Sequence, residues 1–420
     1  MKKLTKILVA VSYLLSCSCG GQNQENIQDI GENPDIHIID VDKAEKVEMM
    51  FLSDICSQIK TIILETNDDV LLGKVGIVQA YKDLIFVSDM SKHPGLYAFN
   101  REGKFIRKYG DRGGGPGEYL SVRDFTIDRE NEFVYLLDSE MDQILKYEIV
   151  TGKYAGKIIV KNNKLNFLFL QYSNGRLYGA GDYYNESVNS CMVHEIDMTT
   201  GKISRCWLDT KHYNKGWNGA GMRLQESFFY ARHQEAFKYV HLFMDTIISF
   251  GKDQVTPYVV FKDKDWISAR RISQIIENQK KSEYDGFYRE LRNYEITYNI
   301  NGYVEWNDFI CFKYQKKDAD YFVLHNIKTG NTRIANFLMN DLDGFAQLRI
   351  VNNLICSDEN GLYELIDGMN GWLLERFLEQ AKEDGYLKKS LDRYEELRNL
   401  PEDTNPIIFY YEFKRDEKRQ

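Results

Sequence analysis

The run from Gly110 to Tyr119 is rich in glycine and carries two charged side chains, Arg112 and Glu118, so it is the first segment to test for chemistry. A phosphate-binding loop requires a lysine and a serine or threonine after its glycines, at the start of a helix. This run has no such lysine, and the segment that follows it, 122–127, has the pattern of a strand. The run therefore predicts a tight turn with unusual backbone angles, and Arg112 and Glu118 are candidates to face a ligand pocket.

Aromatic side chains lie beside polar or charged groups at two other places in the chain. The segment 228–233, Phe-Phe-Tyr-Ala-Arg-His, follows Trp217 closely, and the segment 182–184 joins an aspartate to two tyrosines. On loops such groups stack on sugars or peptide side chains, whereas on strands they are ordinary core aromatics, and the sequence leaves both interpretations open. The candidate ligand-binding residues in these segments are Tyr183, Tyr184, Trp217, Tyr230, Arg232 and His233.

The histidines and acidic residues do not specify a metal or a catalytic site. None of the seven histidines forms an H-E-x-x-H pattern or another close ligand pair. The acidic pairs at 68–69 and 341–343 lack the spacing of calcium ligands or glycosidase carboxylates, and turns explain them. No G-x-S-x-G nucleophile elbow occurs. The sequence therefore predicts no metal and no cofactor, and it identifies no catalytic residue.

The first residues have the charge and hydropathy pattern of an export signal. Lysines precede the short apolar segment 7–15, and Ser16 then precedes Cys17. The apolar segment is too short to span a bilayer. The pattern resembles the lipobox of bacterial lipoproteins, which implies cleavage before Cys17 and lipidation of its thiol; an ordinary cleavable signal is the alternative. We expect a signal peptide at 1–16 and a flexible, polar tether at 17–35 that holds the protein at a membrane through the lipid.

Charge and cysteine content restrict the partners and the redox compartment expected for the body of the chain, 36–420. A net charge of -9 and a pI near 5.5 argue against nucleic acid as a partner. The cysteines beyond Cys19 are odd in number and none lies in a C-x-x-C pair, so we predict buried free thiols, with one disulfide in an oxidising compartment as the alternative. These cysteines are Cys56, Cys191, Cys206, Cys311 and Cys356.

Strand-like segments recur along the body, each pair followed by a glycine turn. The clearest copies, 84–109 and 133–160, match in phase at Asp89 and Asp138, and four weaker copies follow. Six units with a period of about 40–50 residues predict a single all-β domain, a six-bladed β-propeller, rather than a β-sandwich. Two amphipathic segments, near 264–293 and 370–398, predict helical insertions, either plain spacers between blades or a lid or partner-binding element.

The loop 109–119 resembles the G-x-G-P-G-E-Y signature of the six-bladed β-propeller lipoproteins of Bacteroidetes, a group similar to TolB-like and NHL-like propellers. Further points of resemblance lie at 52–66, 245–248 and 405–411, with an extra glycine in the loop as a departure. The resemblance implies a propeller and an outer-membrane address, periplasmic or surface-exposed, and no established reaction. It also implies that the last strand, 407–413, pairs into a blade built from distant parts of the chain and so closes the ring.

Three function classes remain open. We favour a non-enzymatic propeller that binds a peptide, glycan or partner protein at one end of its channel. An extracytoplasmic hydrolase or lyase with a site at the channel is the alternative, and a structural subunit of a surface complex is the third. Charged residues and a histidine converging on the channel favour the enzyme, an aromatic groove favours binding, and an exposed apolar patch favours the subunit.

Overall fold

Six β-sheets, each with four principal strands, form the blades of a propeller. The computed structural model describes residues 27–91, 93–161, 167–181, 191–217, 228–278, 286–344, 354–366, 371–383, 385–401 and 403–415. The predicted all-β, six-bladed propeller is confirmed. From first to fourth strand, blade 1 is Val75–Tyr81, Leu84–Asp89, Gly95–Asn100 and Phe105–Tyr109; blade 2 is Asp124–Asp128, Phe133–Asp138, Gln143–Glu148 and Tyr154–Ile159; blade 3 is Phe167–Ser173, Arg176–Gly181, Cys191–Ile196 and Ile203–Asp209; blade 4 is Phe229–Tyr230, Phe237–Tyr239, Thr246–Phe250 and Val255–Lys262; blade 5 is Thr297–Trp306, Phe309–Lys316, Ala319–Asn326 and Thr332–Ala335; and blade 6 is Leu354–Ser357, Gly361–Ile366, Ile407–Phe413 and Cys56–Ile63.

Blade 6 joins the two ends of the ring. Its third strand, Ile407–Phe413, pairs antiparallel with Gly361–Ile366 on one side and with Cys56–Ile63 on the other. The prediction that the last strand completes a blade with distant parts of the chain is confirmed. This pairing gives the closing strand a partner on both sides and joins distant parts of the chain into one ring.

An N-terminal strap, residues 27–51, runs along the outer edges of successive blades. Three of its contacts are short parallel pairings with the outer strand of a blade, and the fourth is with Leu338–Met339. Ile27 and Gln28 lie within the range predicted as tether, 17–35, but pair with blade 3. Sequence gave no sign of these pairings because strands of two to four residues have no readable periodicity. The strap strands are Ile27–Gln28 on blade 3, His37–Asp40 on blade 4, Glu45–Lys46 on blade 5, and Met50–Phe51 on Leu338–Met339.

The repeat seen in the sequence has a hydrogen-bonding cause. Asp89 and Asp138, both buried, end the second strands of blades 1 and 2. Asp89 accepts hydrogen bonds from the backbone N–H groups of Gly73 and Lys74, at 2.8 and 3.0 Å. Asp138 does the same for the loop at 120–121, at 3.0 and 3.1 Å. Each carboxylate thus fixes the segment that leads into its own blade.

The recurring glycine turns also have a packing cause. Gly103 and Gly201 lie between the third and fourth strands of blades 1 and 3, with φ of +84° and +70°. A Cβ at Gly103 would lie 2.1 Å from the carbonyl oxygen of Ile63, and one at Gly201 would lie 1.8 Å from that of Ile159. Both carbonyls belong to the outer strand of the neighbouring blade. Only glycine allows this approach of one blade to the next.

The hydrophobic core lies between neighbouring blades. Tyr135 of blade 2 and Tyr172 of blade 3 stack with ring centroids 5.5 Å apart, and Phe261 and Phe312 meet edge-on between blades 4 and 5 at 5.7 Å. Aromatic pairs at these separations add to the stability that burial of their area provides. The inward-facing rings therefore hold the blades face to face around the axis.

Helices accompany blades 4 to 6. α1, Thr210–Tyr213, follows blade 3; α2, Ala269–Asn278, and α3, Gly286–Arg292, precede blade 5; α4, Gly371–Glu383, and α5, Leu387–Leu397, lie between the second and third strands of blade 6. Ile272 and Ile275 of α2 are buried, as their spacing predicts. Within the described ranges no helix is long and apolar enough to cross a bilayer.

The prediction of free thiols is wrong for two cysteines. Cys191 and Cys206 form a disulfide between the third and fourth strands of blade 3, with their Cα atoms 5.9 Å apart. Cys56, Cys311 and Cys356 are free. The pair was missed because neighbouring antiparallel strands bring together residues whose separation in the sequence follows no motif. A disulfide is typical of proteins in oxidising compartments.

Candidate functional site

Arg232 closes the centre of the ring. It follows the first strand of blade 4, and its side chain is 9% exposed. Its Nε donates to Oε1 of Gln171 at 2.8 Å, and its Nη2 donates to the carbonyl oxygens of Phe125, at 2.8 Å, and Leu170. Nη1 and Nη2 also donate to the two carboxylate oxygens of Asp124, each at 3.2 Å. One guanidinium thus joins blades 2, 3 and 4.

The carboxylate that receives Arg232 has no capacity left for a ligand. Asp124 is fully buried and also accepts the backbone N–H groups of Phe125 and Leu170, both at 2.7 Å. Burial raises the pKa of Asp124, and the charge of Arg232 and these N–H groups oppose that shift. The pair is therefore a structural lock rather than a reactive centre.

Two buried glutamines extend the lock to neighbouring first strands. Gln79 of blade 1 donates through Nε2 to the carbonyl oxygen of Phe125 in blade 2 at 2.6 Å. Gln171 of blade 3 donates through Nε2 to the carbonyl oxygen of Tyr172 at 2.7 Å while its Oε1 receives Arg232. Polar side chains of blades 1 to 4 thus link their inner strands, and the candidate binding groups are sought at the ends of these strands.

Arg129 and His233 lie at the end of the channel where first strands turn into second strands; with Glu359 we call them the turn-end site. Arg129 donates through Nη2 to the carbonyl oxygen of Ala80 at 2.9 Å, and its guanidinium lies 5.1 Å from the ring centroid of Tyr81. The Nε of Arg129 and the Nδ1 of His233 are buried and have no hydrogen-bond partner among the described residues. Each of these two atoms has the capacity for a further hydrogen bond at this end of the channel.

The electrostatics of the turn-end site keep its histidine neutral. Burial, and then the charge of Arg129, lower the pKa of His233 to about 4. Glu359, a backbone hydrogen bond at Ser357, and Glu305 act in the opposite direction. At neutral pH the imidazole is therefore uncharged, and with one hydrogen bond already made at Ser357 its Nδ1 is the nitrogen left for a ligand. The site draws on blades 1, 2, 4 and 6, with the field of a carboxylate from blade 5.

The other residues selected from the sequence lie elsewhere. Trp217 is buried against Phe243 and Phe287 beside α3, so its role is packing and it is not part of the site. Tyr230 is half-buried, with its ring 6.4 Å from that of Tyr303 in blade 5. Tyr183 and Tyr184 lie outside the described residues.

The glycine-rich loop is at the opposite end of the channel. It precedes the first strand of blade 2, whereas Arg129 follows that strand. Arg112 is exposed on the short strand Asp111–Arg112, and Glu118 turns back to accept the N–H of Gly115 at 2.8 Å. Neither side chain belongs to the turn-end site, so Arg112 and Glu118 remain candidates only for a ligand at the other end. The predicted tight turn is confirmed, since Gly110 and Gly117 have φ of +65° and +78°.

Sequence reasoning found Arg232 and His233 but missed Asp124, Arg129 and Gln171. The successful signal was a local cluster of unusual residue types. Asp124 begins the first strand of blade 2, Arg129 follows that strand, and Gln171 lies on the first strand of blade 3. Buried polar residues on first strands, such as Gln79, Asp124 and Gln171, were the available signal, because buried strands carry mainly apolar residues.

Acidic clusters in the described part of the chain do not form a metal site. No group of three or more histidine, cysteine, aspartate or glutamate side chains there is arranged to hold a metal ion. A surface cleft of about 470 Å³ between the strap and blade 4 contains aspartates, but lysines neutralise them. The ion pairs at this cleft are Lys43–Asp40, Lys215–Asp245 and Lys316–Asp263.

Nearly the whole described chain matches one family model, "Domain of unknown function (DUF4934)", over residues 36–412. The chain belongs to this family. No curated protein matches the DUF4934 chain.

A solved structure from Bacteroides fragilis, described as a "putative exported protein", has a TM-score of 0.66 at 18% identity and covers 90% of this chain and 100% of that one. At this identity the likeness supports the fold alone. A member of the DUF4221 family from Bacteroides vulgatus has a TM-score of 0.46 at 8% identity, covering 86% of this chain and 97% of that one, which is too low to support an argument.

Proposed function

We propose that this DUF4934 protein is an extracytoplasmic, lipid-anchored propeller that binds a peptide, glycan or partner protein at the turn-end site. The observation that carries the proposal is the pair of buried polar atoms without partners, Nε of Arg129 and Nδ1 of His233, beside a closed channel centre. Buried polar groups without partners are costly to a fold, so their presence here favours a ligand that supplies the missing bonds.

Binding is favoured over catalysis by the protonation state of His233. A general base works best when its pKa lies near the working pH. The pKa of His233, about 4, leaves it a weak base at neutral pH, although it remains a good hydrogen-bonding group. The buried carboxylate, Asp124, is saturated by Arg232.

The address of the protein is part of the proposal. We infer a signal peptide at 1–16, lipidation of Cys17, a short tether up to residue 26 and one propeller beyond it, with α2–α3 and α4–α5 as insertions. The disulfide Cys191–Cys206 and the likeness to an exported Bacteroides fragilis protein support a location outside the cytoplasm. We place it at the outer membrane, facing the periplasm or the surface, with no nucleic-acid partner.

A peptide and glycan array probed with the purified protein is expected to yield ligands whose affinity falls at least tenfold in Arg129→Met and in His233→Phe. Both substitutions keep bulk and remove the hydrogen-bonding groups of the turn-end site. Titration by isothermal calorimetry measures the change in Kd.

Arg123→Met is the matched control. Arg123 precedes the same strand of blade 2 at its other end, and its Nε is likewise buried without a partner among the described residues. The affinity of the Arg123→Met protein for the array ligands is expected to stay within about twofold of wild type. Loss of binding in Arg123→Met alone would show that the site lies at the opposite end of the channel. An array without ligands would remove the peptide and glycan alternatives, and co-purification of an envelope protein would then support a partner protein.

An extracytoplasmic hydrolase or lyase is the second candidate, because a histidine does converge with charged residues at the channel. Incubation of array ligands with the protein tests it. Products that form with wild type and Arg123→Met, but not with His233→Phe, establish catalysis; unchanged ligands with intact binding exclude it.

Cys17→Ala is expected to abolish labelling by radioactive palmitate and to release the protein from the membrane fraction. The physical reason is that the lipid on the thiol provides the apolar area that holds the chain at the bilayer. Cys19→Ala, two residues away, is the control and should label normally. Continued labelling and membrane retention of Cys17→Ala would show that the anchor is not at this cysteine.

A further inference from the structure

The strap crosses the junction between blades 4 and 5 at His37. This residue begins the strap strand His37–Asp40, which pairs in parallel with Val259–Lys262 of blade 4. The imidazole of His37 meets the ring of Tyr258 edge-on with centroids 5.1 Å apart. It also lies 6.0 Å from the ring of His325, on the third strand of blade 5. One histidine of the strap therefore contacts both blades.

His325 has little access to water for hydrating a charge. It is 3% exposed, and its Nδ1 lies 2.9 Å from the hydroxyl of Thr332 on the next strand. The charged group whose field reaches it is His37 itself. A proton added to His325 would thus be buried beside a second imidazole without a nearby carboxylate to balance it.

The charges around His37 are already partly paired. Glu305 accepts the hydroxyls of Tyr258 at 2.5 Å and Tyr303 at 3.1 Å, and lies 3.7 Å from the Nζ of Lys238. That ammonium, 4% exposed, also lies 4.4 Å from the ring centroid of Tyr258. Glu305 and Asp35 favour a proton on His37, while burial and Lys238 oppose it. A second cation at this junction would compete with Lys238 for Glu305.

We propose that His37 and His325 form an acid-sensitive fastener, which holds the strap on blades 4 and 5 when both rings are neutral and releases strap strand His37–Asp40 when they take up protons. Release of this strand would expose the outer strand of blade 4, Val255–Lys262, so this part of the strap acts as a reversible cover of that edge. The proposal does not depend on the turn-end site or on the lipid.

The pH range follows from the direction of the pKa shifts. Burial lowers the pKa of His37 and of His325 when the strap is attached. A detached, solvated histidine titrates near its ordinary value of about 6.5. The detached state therefore binds more protons below that value, so attachment is fully stable above about pH 6.5 and weakens as the pH falls.

Amide hydrogen exchange of the intact protein, followed by mass spectrometry and corrected for intrinsic exchange rates, tests the fastener. The opening constant of residues 37–41 is expected to rise at least tenfold from pH 7.5 to pH 5.0. The segment 84–89 of blade 1, which has no histidine, should change less than twofold. The result that overturns the proposal is equal opening of both segments, which is global acid destabilisation, or no opening of residues 37–41.

Two variants test whether the pH-dependent opening arises from the fastener or from another buried histidine. His37→Phe keeps a ring against Tyr258 but cannot take a proton, and it should reduce the rise at residues 37–41 to less than twofold. His194→Phe removes a different buried histidine, whose pKa burial lowers to about 4, and should leave the tenfold rise intact. A rise that persists in His37→Phe, or disappears in His194→Phe, contradicts the assignment. If His37→Phe does not fold, the wild-type comparison of the two segments still decides.

Discussion

Replacing Arg232 with methionine is expected to lower the free energy of unfolding by about 3–5 kcal/mol, because Asp124 would remain buried without its counter-charge. In the native ring the guanidinium is 9% exposed and the carboxylate 0% exposed, so water does not compensate for the loss. Gln171 and the carbonyls of Phe125 and Leu170 would lose their donor as well. Urea unfolding, with comparison of midpoints at an unchanged slope, measures the effect.

The same substitution predicts a change in pH dependence. Burial already raises the pKa of Asp124, and removal of Arg232 takes away the largest influence that opposes this shift. The folded variant therefore binds a proton on Asp124 more tightly than the unfolded chain does. The loss in free energy of unfolding of Arg232→Met relative to wild type should therefore become smaller as the pH falls through that raised pKa.

Lys82→Met is the control for charge removal. Lys82 forms an ion pair with Glu132, but the two side chains are 62% and 41% exposed, so the free energy of unfolding should stay the same within error. A second variant, Arg232→Met with Asp124→Leu, should recover part of the loss because no unpaired charge remains buried. An Arg232→Met protein as stable as wild type would show that the lock does not hold the blades.

Gly201→Ala is expected to lower the free energy of unfolding by about 2–5 kcal/mol, the sum of a left-handed backbone strain of about 1–2 kcal/mol and an overpacking cost of about 1–3 kcal/mol. The φ of Gly201 is +70°, and an added Cβ would lie 1.8 Å from the carbonyl oxygen of Ile159 on blade 2. The neighbouring atom is backbone, so the contact cannot be relieved by a side-chain rotation. Denaturant unfolding measures the cost.

Gly330→Ala separates strain from contact. Gly330 occupies the corresponding turn of blade 5 with φ of +72°, but nothing lies within 4 Å of its added Cβ. This variant should lose only the strain, about 1–2 kcal/mol. Equal losses at the two glycines would mean that close approach of the blades contributes nothing.

The fold was readable from the sequence to the extent that its determinants are local and repeated. Asp89 and Asp138 cap the segments entering their own blades, and glycine turns recur where left-handed backbone is required. Such features leave a mark at fixed spacing, and the spacing gives the number of blades. The closing strand Ile407–Phe413 also followed, because a ring of six blades must pair its last open edge.

The strap and the disulfide were not readable in the same way. Ile27 pairs with Cys206, and Cys206 is bonded to Cys191, yet neither contact has a sequence signature. Pairing over such separations is selected by the shape of the assembled ring and by the edges it leaves open. Short parallel strands of this kind carry too few residues for any alternation of apolar and polar positions.

The sequence by itself determined the β-propeller class, its six units and the local cluster that contains Arg232 and His233. Tertiary structure alone decided that Arg232 fills the channel against Asp124, that Arg129 rather than Arg112 accompanies His233, and that Trp217 is buried near α3. The physical reason is that the side chains that meet there come from different blades. Their meeting depends on the closure of the whole ring, which no local pattern encodes.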